Sequence, residues 1–193
     1  CFLYLSNLKK YSINQNHESI IYFQNFAKKN SVNILLGSLP INDNKGVYNR
    51  SLVIDSHGSI ISKYDKIHMF DVILRNNEIY KESDTFKTGN KLETFDINGW
   101  KFGHSICYDL RFPKLYRYLA KLGSKAIVIP SAFTYTTGKA HWHTLVRARA
   151  IENGVFILAP NQWGVNNERR STFGHSLVVD PWGEIIAEAE DKE

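Results

Sequence analysis

Apolar positions recur at helical spacing over residues 18–30, where Ile20, Ile21, Phe23, Phe26 and Ala27 share one side and Lys-Lys-Asn closes the run. That spacing predicts a helix. The pattern then shifts to a short, continuous apolar run over 32–36, as in a strand buried on both faces. Residues 47–55 and 59–64 flank Ser56-His57-Gly58 and predict a hairpin. Residues 94–97 and 100–106 flank Asn98-Gly99, the dipeptide best suited to a two-residue hairpin turn. Between these hairpins, 65–92 shows no clear period; loops of that length are usually functional or disordered. Downstream, a helix fits 112–122, with Leu115, Tyr116, Leu119 and Leu122 inward and Gly123 at its end. A buried strand follows over 126–129. A second helix, about 140–152, carries Trp142, Leu145, Val146 and Arg149 at i, i+3, i+4, i+7 and stops at Asn153-Gly154. A strand over 155–159, a polar loop over 161–173, and strands over 176–180 and 184–187 across Pro-Trp-Gly complete the chain. The expected fold class is α/β: mixed sheets covered by helices, in one domain without repeats or linker.

Composition narrows the setting. The 193 residues suit one domain with a single sizeable core. Apolar residues make up 43% and charged residues 22%, and no apolar run approaches the roughly 20 residues that span a bilayer, so no membrane partner is expected. No secretory signal is visible, and two cysteines, Cys1 and Cys107, do not suggest a disulfide framework; the expected compartment is the reducing cytoplasm. The net charge of +5 is spread along the chain, with Lys28-Lys29 and Arg169-Arg170 as the notable clusters, so no nucleic-acid partner is expected. The only methionine is Met69, and the chain stops in a polar stretch, 188–193, just after a strand pattern. The expectation is a piece of a longer sequence, incomplete at both ends.

Candidate chemistry centres on Cys107, where a short apolar stretch meets a polar turn and then a helical pattern. A thiol between strand and helix is where a chain can present a nucleophile, although cysteine is also among the residues most often simply buried. A cysteine nucleophile needs a base for its proton and a cation for the attacked carbonyl oxygen. Lys66, Glu82 and Asp109 are the candidate helpers; Lys66 and Glu82 could equally be exposed loop charges, and Asp109 could cap the following helix. His141 and His143, two apart on a helix, point to different faces and could not share a metal, and HExxH and CxxC spacings are absent. His104, three residues before Cys107, points to the opposite face if the strand continues. No metal site and no cofactor are expected.

Five blocks of sequence carry a resemblance. They are Lys63-Tyr-Asp-Lys66-Ile-His-Met-Phe-Asp71; Lys81-Glu82-Ser-Asp84 with Thr88-Gly89; Gly103-His-Ser-Ile-Cys107-Tyr-Asp-Leu-Arg-Phe-Pro113; Ala140-His-Trp-His-Thr-Leu-Val-Arg-Ala-Arg-Ala-Ile-Glu-Asn153; and Phe173-Gly-His-Ser-Leu-Val-Val-Asp-Pro-Trp-Gly183. In order and spacing they resemble the nitrilase superfamily of carbon–nitrogen hydrolases, over nearly the whole chain from residue 32. Gln162-Trp-Gly and the segment 168–176 are most similar to the branch holding omega-amidases and deaminated-glutathione amidases. The resemblance implies a four-layer α-β-β-α sandwich, a Glu-Lys-Cys triad, and a homodimer or higher homo-oligomer. By the same carry-over Cys107 is the nucleophile that forms a thioester and releases ammonia. Lys66 stabilises the oxyanion with the Tyr108 N–H, and Glu82 is the second acidic residue, which orients the catalytic groups.

Two departures from the family pattern are visible. The family's general-base glutamate precedes a Cys-Phe or Met-Phe type segment, and this chain opens with Cys1-Phe2-Leu3-Tyr4. The base is therefore expected immediately before residue 1, and the polypeptide as written is expected to be inactive or nearly so. The alternative is a non-catalytic remnant acting as an interaction module. The second departure is in charge: Arg-Phe-Pro-Glu reads Arg111-Phe-Pro-Lys114, and the usual Trp-Glu reads Trp142-His143. The substrate expected from the branch is a small ω-amide bearing a carboxylate. Arg111 is the candidate anchor, unless it makes a structural salt bridge, and Arg169 or Arg170 is the second. Tyr108, Phe133 and Gln162 complete the expected substrate-binding set.

Overall fold

The helical spacing over 18–30 is realised as α1 (Glu18–Asn30) in the computed structural model, which describes residues 8–74, 79–167 and 170–190. His17 caps its start by accepting from the Ser19 N–H, and Ser31, at φ 54, turns the chain left-handed at its end. Ile20 is fully buried and joins Ile41 and Leu52 in a core cluster. Contacts divide the chain into two units, Phe2–Lys91 and Leu92–Glu193.

In the first unit β1 (Ile34–Asp43), β2 (Gly46–Ile54) and β3 (Ile60–Asp65) form an antiparallel sheet in that order. The predicted 47–55/59–64 hairpin is the β2–β3 pair. The strand expected over 32–36 differs: it starts at Ile34 and runs on through Pro40 to Asp43. Its first three residues are only partly buried, so burial on both faces does not hold. β1 lies at the sheet edge, where a proline costs no ladder hydrogen bond, and antiparallel sheets need bury only one face. The aperiodic 65–92 segment contains a small ribbon, β4 (Asp71–Ile73) with β5 (Ile79–Lys81), followed by a 3-10 turn, Glu82–Asp84.

The second unit runs β6 (Thr94–Ile97), β7 (Trp100–His104), α2 (Pro113–Lys121), β8 (Ala126–Val128), α3 (Tyr135–Asn153), β9 (Phe156–Ala159), β10 (Trp163–Asn167), β11 (Arg170–Phe173), β12 (Leu177–Val179) and β13 (Ile185–Glu188). Its six-stranded sheet has the order β13-β12-β9-β8-β7-β6. β7, β8 and β9 are parallel, with α2 and α3 as the crossovers; the other neighbours are antiparallel. The mixed α/β class is as expected. β8, the continuous apolar run, is buried at every position, as a strand covered on both faces requires. Asn98 and Gly99, at φ 50 and φ 80, make the tight β6–β7 turn.

Two expectations fail here. The polar loop over 161–173 is instead the β10–β11 hairpin, held by backbone pairing that no side-chain period announces. Helix α3 starts at Tyr135 rather than about 140. Thr134 caps it by accepting from the Thr137 N–H (3.3 Å), although Thr-Thr-Gly is a poor helix-forming run. Tertiary packing decides the matter: a Cβ on Gly138 would lie 2.2 Å from the Phe173 Cβ, so glycine is needed where β11 crosses the helix.

Gly138→Ala, which in an exposed helix interior stabilises by up to about 1 kcal/mol, is expected to destabilise this protein and lower Tm. Thermal unfolding of the variant checks the sign. His104 supplies a second expectation. It is fully buried at the end of β7 with its ring 4.7 Å from Phe95, and burial pulls its pKa down to about 4. The unfolded chain, with an ordinary histidine near 6.5, then binds more protons than the folded one at intermediate pH. This contribution is complete above pH about 6.5, is lost as pH falls from there toward about 4, and changes no further below. Urea unfolding across that window should show the slope, and His104→Gln should flatten it.

Candidate functional site

Lys66 leaves the end of β3 with its backbone held on both sides. Its N–H donates to Asn49 O (2.9 Å), and its carbonyl accepts from the Gly89 N–H (2.8 Å). Gly89 is required for that approach, since a Cβ there would lie 2.1 Å from Asp65 O. One residue earlier, Asp65 accepts a two-pronged contact from its ladder partner Arg50, Nε to Oδ1 (2.5 Å) and Nη2 to Oδ2 (2.9 Å). The strand end is thereby fixed.

The side chains of Lys66 and Glu82 have no solvent exposure, and their charged ends meet at 2.5 Å, Nζ donating to Oε2. The same Oε2 accepts from the Phe70 N–H (2.7 Å), and Oε1 accepts from Asn49 Nδ2 (2.9 Å). This burial excludes the reading of either residue as an exposed loop charge. A charge in a dry interior is tolerable only when paired and hydrogen-bonded, and here both carboxylate oxygens are occupied. The geometry suits Glu82 to orienting Lys66 more than to carrying protons. Asn49 was not foreseen from the sequence. Its signal is the polar triplet Asn49-Arg50-Ser51, all three buried, inside the otherwise apolar β2.

In the other unit Cys107 follows β7 after Ser105 and Ile106, and opens a 3-10 turn, Cys107–Arg111, that leads into α2. Its φ is 47, in the left-handed region, which costs a non-glycine residue about 1–3 kcal/mol and persists only where the surroundings enforce it. They do so here. The Cys107 N–H donates to Pro130 O (3.1 Å), beyond the end of the parallel neighbour β8. Asp109 takes the capping role: its Oδ2 accepts from the Ile106 N–H (2.9 Å) and its own N–H returns to Ile106 O (3.1 Å). Cys107 is 6% exposed.

Arg111 closes that turn with its guanidinium 5.9 Å from the Tyr108 ring centre and 5.7 Å from that of Phe133. Its Nη2 lies 3.2 Å from His141 Nδ1. Among the described residues it makes no ion pair, so the salt-bridge alternative is not what the structure shows. Burial pushes its pKa down, opposed by the negative charge that Tyr108 and Cys107 can carry. A half-buried guanidinium on two aromatic rings suits a carboxylate ligand. His141, a partner that sequence reasoning passed over, approaches it from α3.

Phe133 is buried, its N–H bonded to Asn161 Oδ1 (3.0 Å) and its ring 4.8 Å from Trp142. Gln162 follows Asn161; its backbone is fixed by Ser131 and Gly174, while the residue itself is exposed. The turn thus carries Cys107, Tyr108 and Arg111, with Phe133 brought against Arg111, whereas the backbone bonds of Gln162 run to Ser131 and Gly174. Arg170 begins β11, half-buried; Arg169 and Cys1 lie outside the described residues. His104 is fully buried beside Phe95; β7 ends at His104, so the strand that would set it opposite Cys107 does not continue to the cysteine. His141 and His143 do diverge: His141 faces Arg111, and His143 faces Glu188 (2.9 Å). No described helix is long and apolar enough to cross a membrane.

Comparison with known proteins gives the chain its family. A deaminated glutathione amidase of Synechocystis is 42% identical over 177 residues, covering 89% of this chain and 65% of that protein. The omega-amidase NIT3 of Saccharomyces cerevisiae is 39% identical over 177 residues, covering 91% and 61% respectively. The chain thus spans under two thirds of the length of these curated relatives. Among solved structures, the Caenorhabditis elegans NitFhit protein superposes with a TM-score of 0.86 at 38% identity, covering 92% of this chain and 44% of that one. Saccharomyces cerevisiae Nit3, described as a member of branch 10 of the nitrilase superfamily, gives 0.81 at 37%, covering 91% and 62%. The carbon–nitrogen hydrolase family model matches residues 3–193, and the chain belongs to that family.

Proposed function

We propose that this protein hydrolyses a non-peptide C–N bond in a small amide, an ω-amide bearing a carboxylate, through a thioester on Cys107. The observation that carries this reading is the turn at Cys107: a thiol held at φ 47 in the same turn as Arg111, whose guanidinium lies over the Tyr108 and Phe133 rings. Strain of this kind in a well-packed protein has to be enforced, and it collects where chemistry needs a side chain aimed out of its element. The amidase names of the relatives supply the reaction class. Because the family match runs through both units without a break, we read them as parts of one domain. A homodimer or higher homo-oligomer belongs to the same reading, on the resemblance alone.

In this mechanism the Cys107 sulfur adds to the amide carbon and the carbonyl oxygen becomes an oxyanion. Lys66 and the Tyr108 N–H stabilise that oxygen. The C–N bond breaks as the nitrogen takes a proton and leaves as ammonia. Water then adds to the thioester, the C–S bond breaks, and the carboxylic acid leaves with the thiol restored. The proton transfers need a carboxylate other than Glu82, whose two oxygens are already committed to Lys66, Asn49 and the Phe70 N–H. Arg111 holds the remote carboxylate of the substrate, and the roles of Lys66 and Glu82 rest on the resemblance.

The whole gene product, incubated with labelled ω-amides, should release ammonia and carry label on Cys107 when quenched. Cys107→Ala should abolish both; ammonia release that survives this substitution overturns the reading, and a folded protein without turnover or label supports a non-catalytic role. Arg111→Lys keeps the charge and loses the planar fork, so KM for an acidic ω-amide should rise about tenfold, with a neutral amide little changed. An unchanged KM removes the anchoring role. Glu82→Gln leaves the Lys66 ammonium buried without its counter-charge and should cost about 3–5 kcal/mol in denaturant unfolding. Adding Lys66→Met should recover most of that loss.

A further inference from the structure

One cluster of metal-binding side chains remains outside the groups used above. His143 lies in the middle of α3, His175 in the turn before β12, and Glu188 at the end of β13. A single carboxylate oxygen, Glu188 Oε1, lies 2.9 Å from His143 Nε2 and 2.7 Å from His175 Nδ1. The three ligand atoms all fall within 4.8 Å of one another, the one such group of three among the described residues. The side chains are 35%, 21% and 34% exposed, so the cluster is built into the surface yet open to solvent.

The placement of these groups does not depend on their mutual contact. His175 sits at φ 55, and its carbonyl accepts from the indole N–H of the fully buried Trp142 (2.7 Å). Its ring stacks on Phe173 at 4.4 Å, and the His143 ring meets Phe173 edge-on at 5.9 Å. Glu188 is paired in register with Leu177, two residues past His175, and the pairing continues as the Ala189 N–H donates to Ser176 O (2.9 Å). Three elements and a shared aromatic wall therefore aim three donors at one point.

We propose that His143 Nε2, His175 Nδ1 and Glu188 bind a divalent transition-metal ion of the Zn²⁺ type, with water at the fourth position. The donor set, two neutral imidazoles and one carboxylate, matches the ligands such ions take when three come from protein. It disfavours Mg²⁺ and Ca²⁺, which call for oxygen ligands throughout. Tetrahedral bonds of about 2.0–2.1 Å put neighbouring donor atoms about 3.3 Å apart. The present 2.7 and 2.9 Å separations then need to open by only about half an ångström. In the ion-free form a carboxylate only accepts, so both facing nitrogens carry hydrogen; the cation takes the place of those two hydrogens. The Glu188 carboxyl is already held below the usual range, chiefly by the His143 hydrogen bond against partial burial, with His175 adding to it. The bound ion clips β13, an edge strand exposed at all four positions, onto α3.

The test titrates the metal-stripped whole protein with Zn²⁺ by calorimetry and with Co²⁺ by visible absorption. The expected result is one ion per chain, the intense visible band of four-coordinate Co²⁺ without a thiolate charge-transfer band, a raised Tm with Zn²⁺, and no response to Mg²⁺. His143→Gln and Glu188→Gln should each weaken Zn²⁺ binding by more than about 100-fold, beyond the 10–100-fold typical of losing an outer-shell partner. Cys107→Ser should leave binding intact, which separates this site from a metal captured by the thiol. Absence of Zn²⁺ binding, binding retained in both ligand variants, or binding lost with Cys107→Ser overturns the proposal. Circular dichroism of each variant without metal keeps a folding defect from imitating ligand loss, and if one ligand variant fails to fold the other decides.

Discussion

A buried ammonium has to be met by an equally buried carboxylate, and much of the first unit is organised by that constraint. Lys66 and Glu82 are wholly withdrawn from water and face each other at 2.5 Å. Glu82 holds its position because Asn49 and the Phe70 N–H take its remaining acceptor sites, and Lys66 because Asn49 O and the Gly89 N–H hold its backbone. Asn49 thus serves both partners from the middle of β2. Removing either charge leaves the other uncompensated in a low-dielectric interior, a cost large against the stability of a domain. Such a pair is poor value as a stabiliser, since apolar residues of similar size would serve as well. What the pairing does fix is one ammonium in a single dry position.

The second unit stores its constraint in the backbone. Cys107 is forced left-handed between a strand and a 3-10 turn, with Pro130 O holding its N–H and Asp109 closing the turn around Ile106. The parallel β7–β8 pairing makes this possible, because it sets the end of β8 beside the end of β7. One residue type governs both close approaches in the neighbouring elements. Gly89 lets a backbone reach Lys66, and Gly138 lets Phe173 lie against α3. From Phe173 the packing continues to His175 and the His143–Glu188 pair, so the aromatic wall that sets the helix also aims the surface imidazoles.

Much of this was legible in the order of residues. Local period placed α1, the two early hairpins and α2, and a continuous apolar run placed β8, although Ile21, Phe26 and Leu122, expected on the inward faces, are exposed. The Lys66, Glu82 and Cys107 blocks were legible as candidate chemistry because their order and spacing resemble a family pattern. The sequence could not distinguish a buried Lys66 from an exposed one, nor a capping Asp109 from a catalytic one, since burial depends on what packs above a residue. The β10–β11 hairpin escaped because backbone pairing leaves no trace in polar side chains. The early start of α3 escaped because Thr-Thr-Gly is a weak helix former, overruled by a β-strand lying on Gly138.

The amino-acid sequence by itself determined the fold class, the main elements and which residues are candidates for chemistry, all of which follow from local period and motif spacing. Tertiary structure alone decided which charges are dry, that Arg111 has an imidazole and two aromatic rings for company rather than an acid, and that His143 is matched with His175 and Glu188 rather than with His141. Most of these contacts join residues 13 to 45 positions apart. No local propensity carries information over that distance; only the pairing of strands and the burial of helices brings such side chains together.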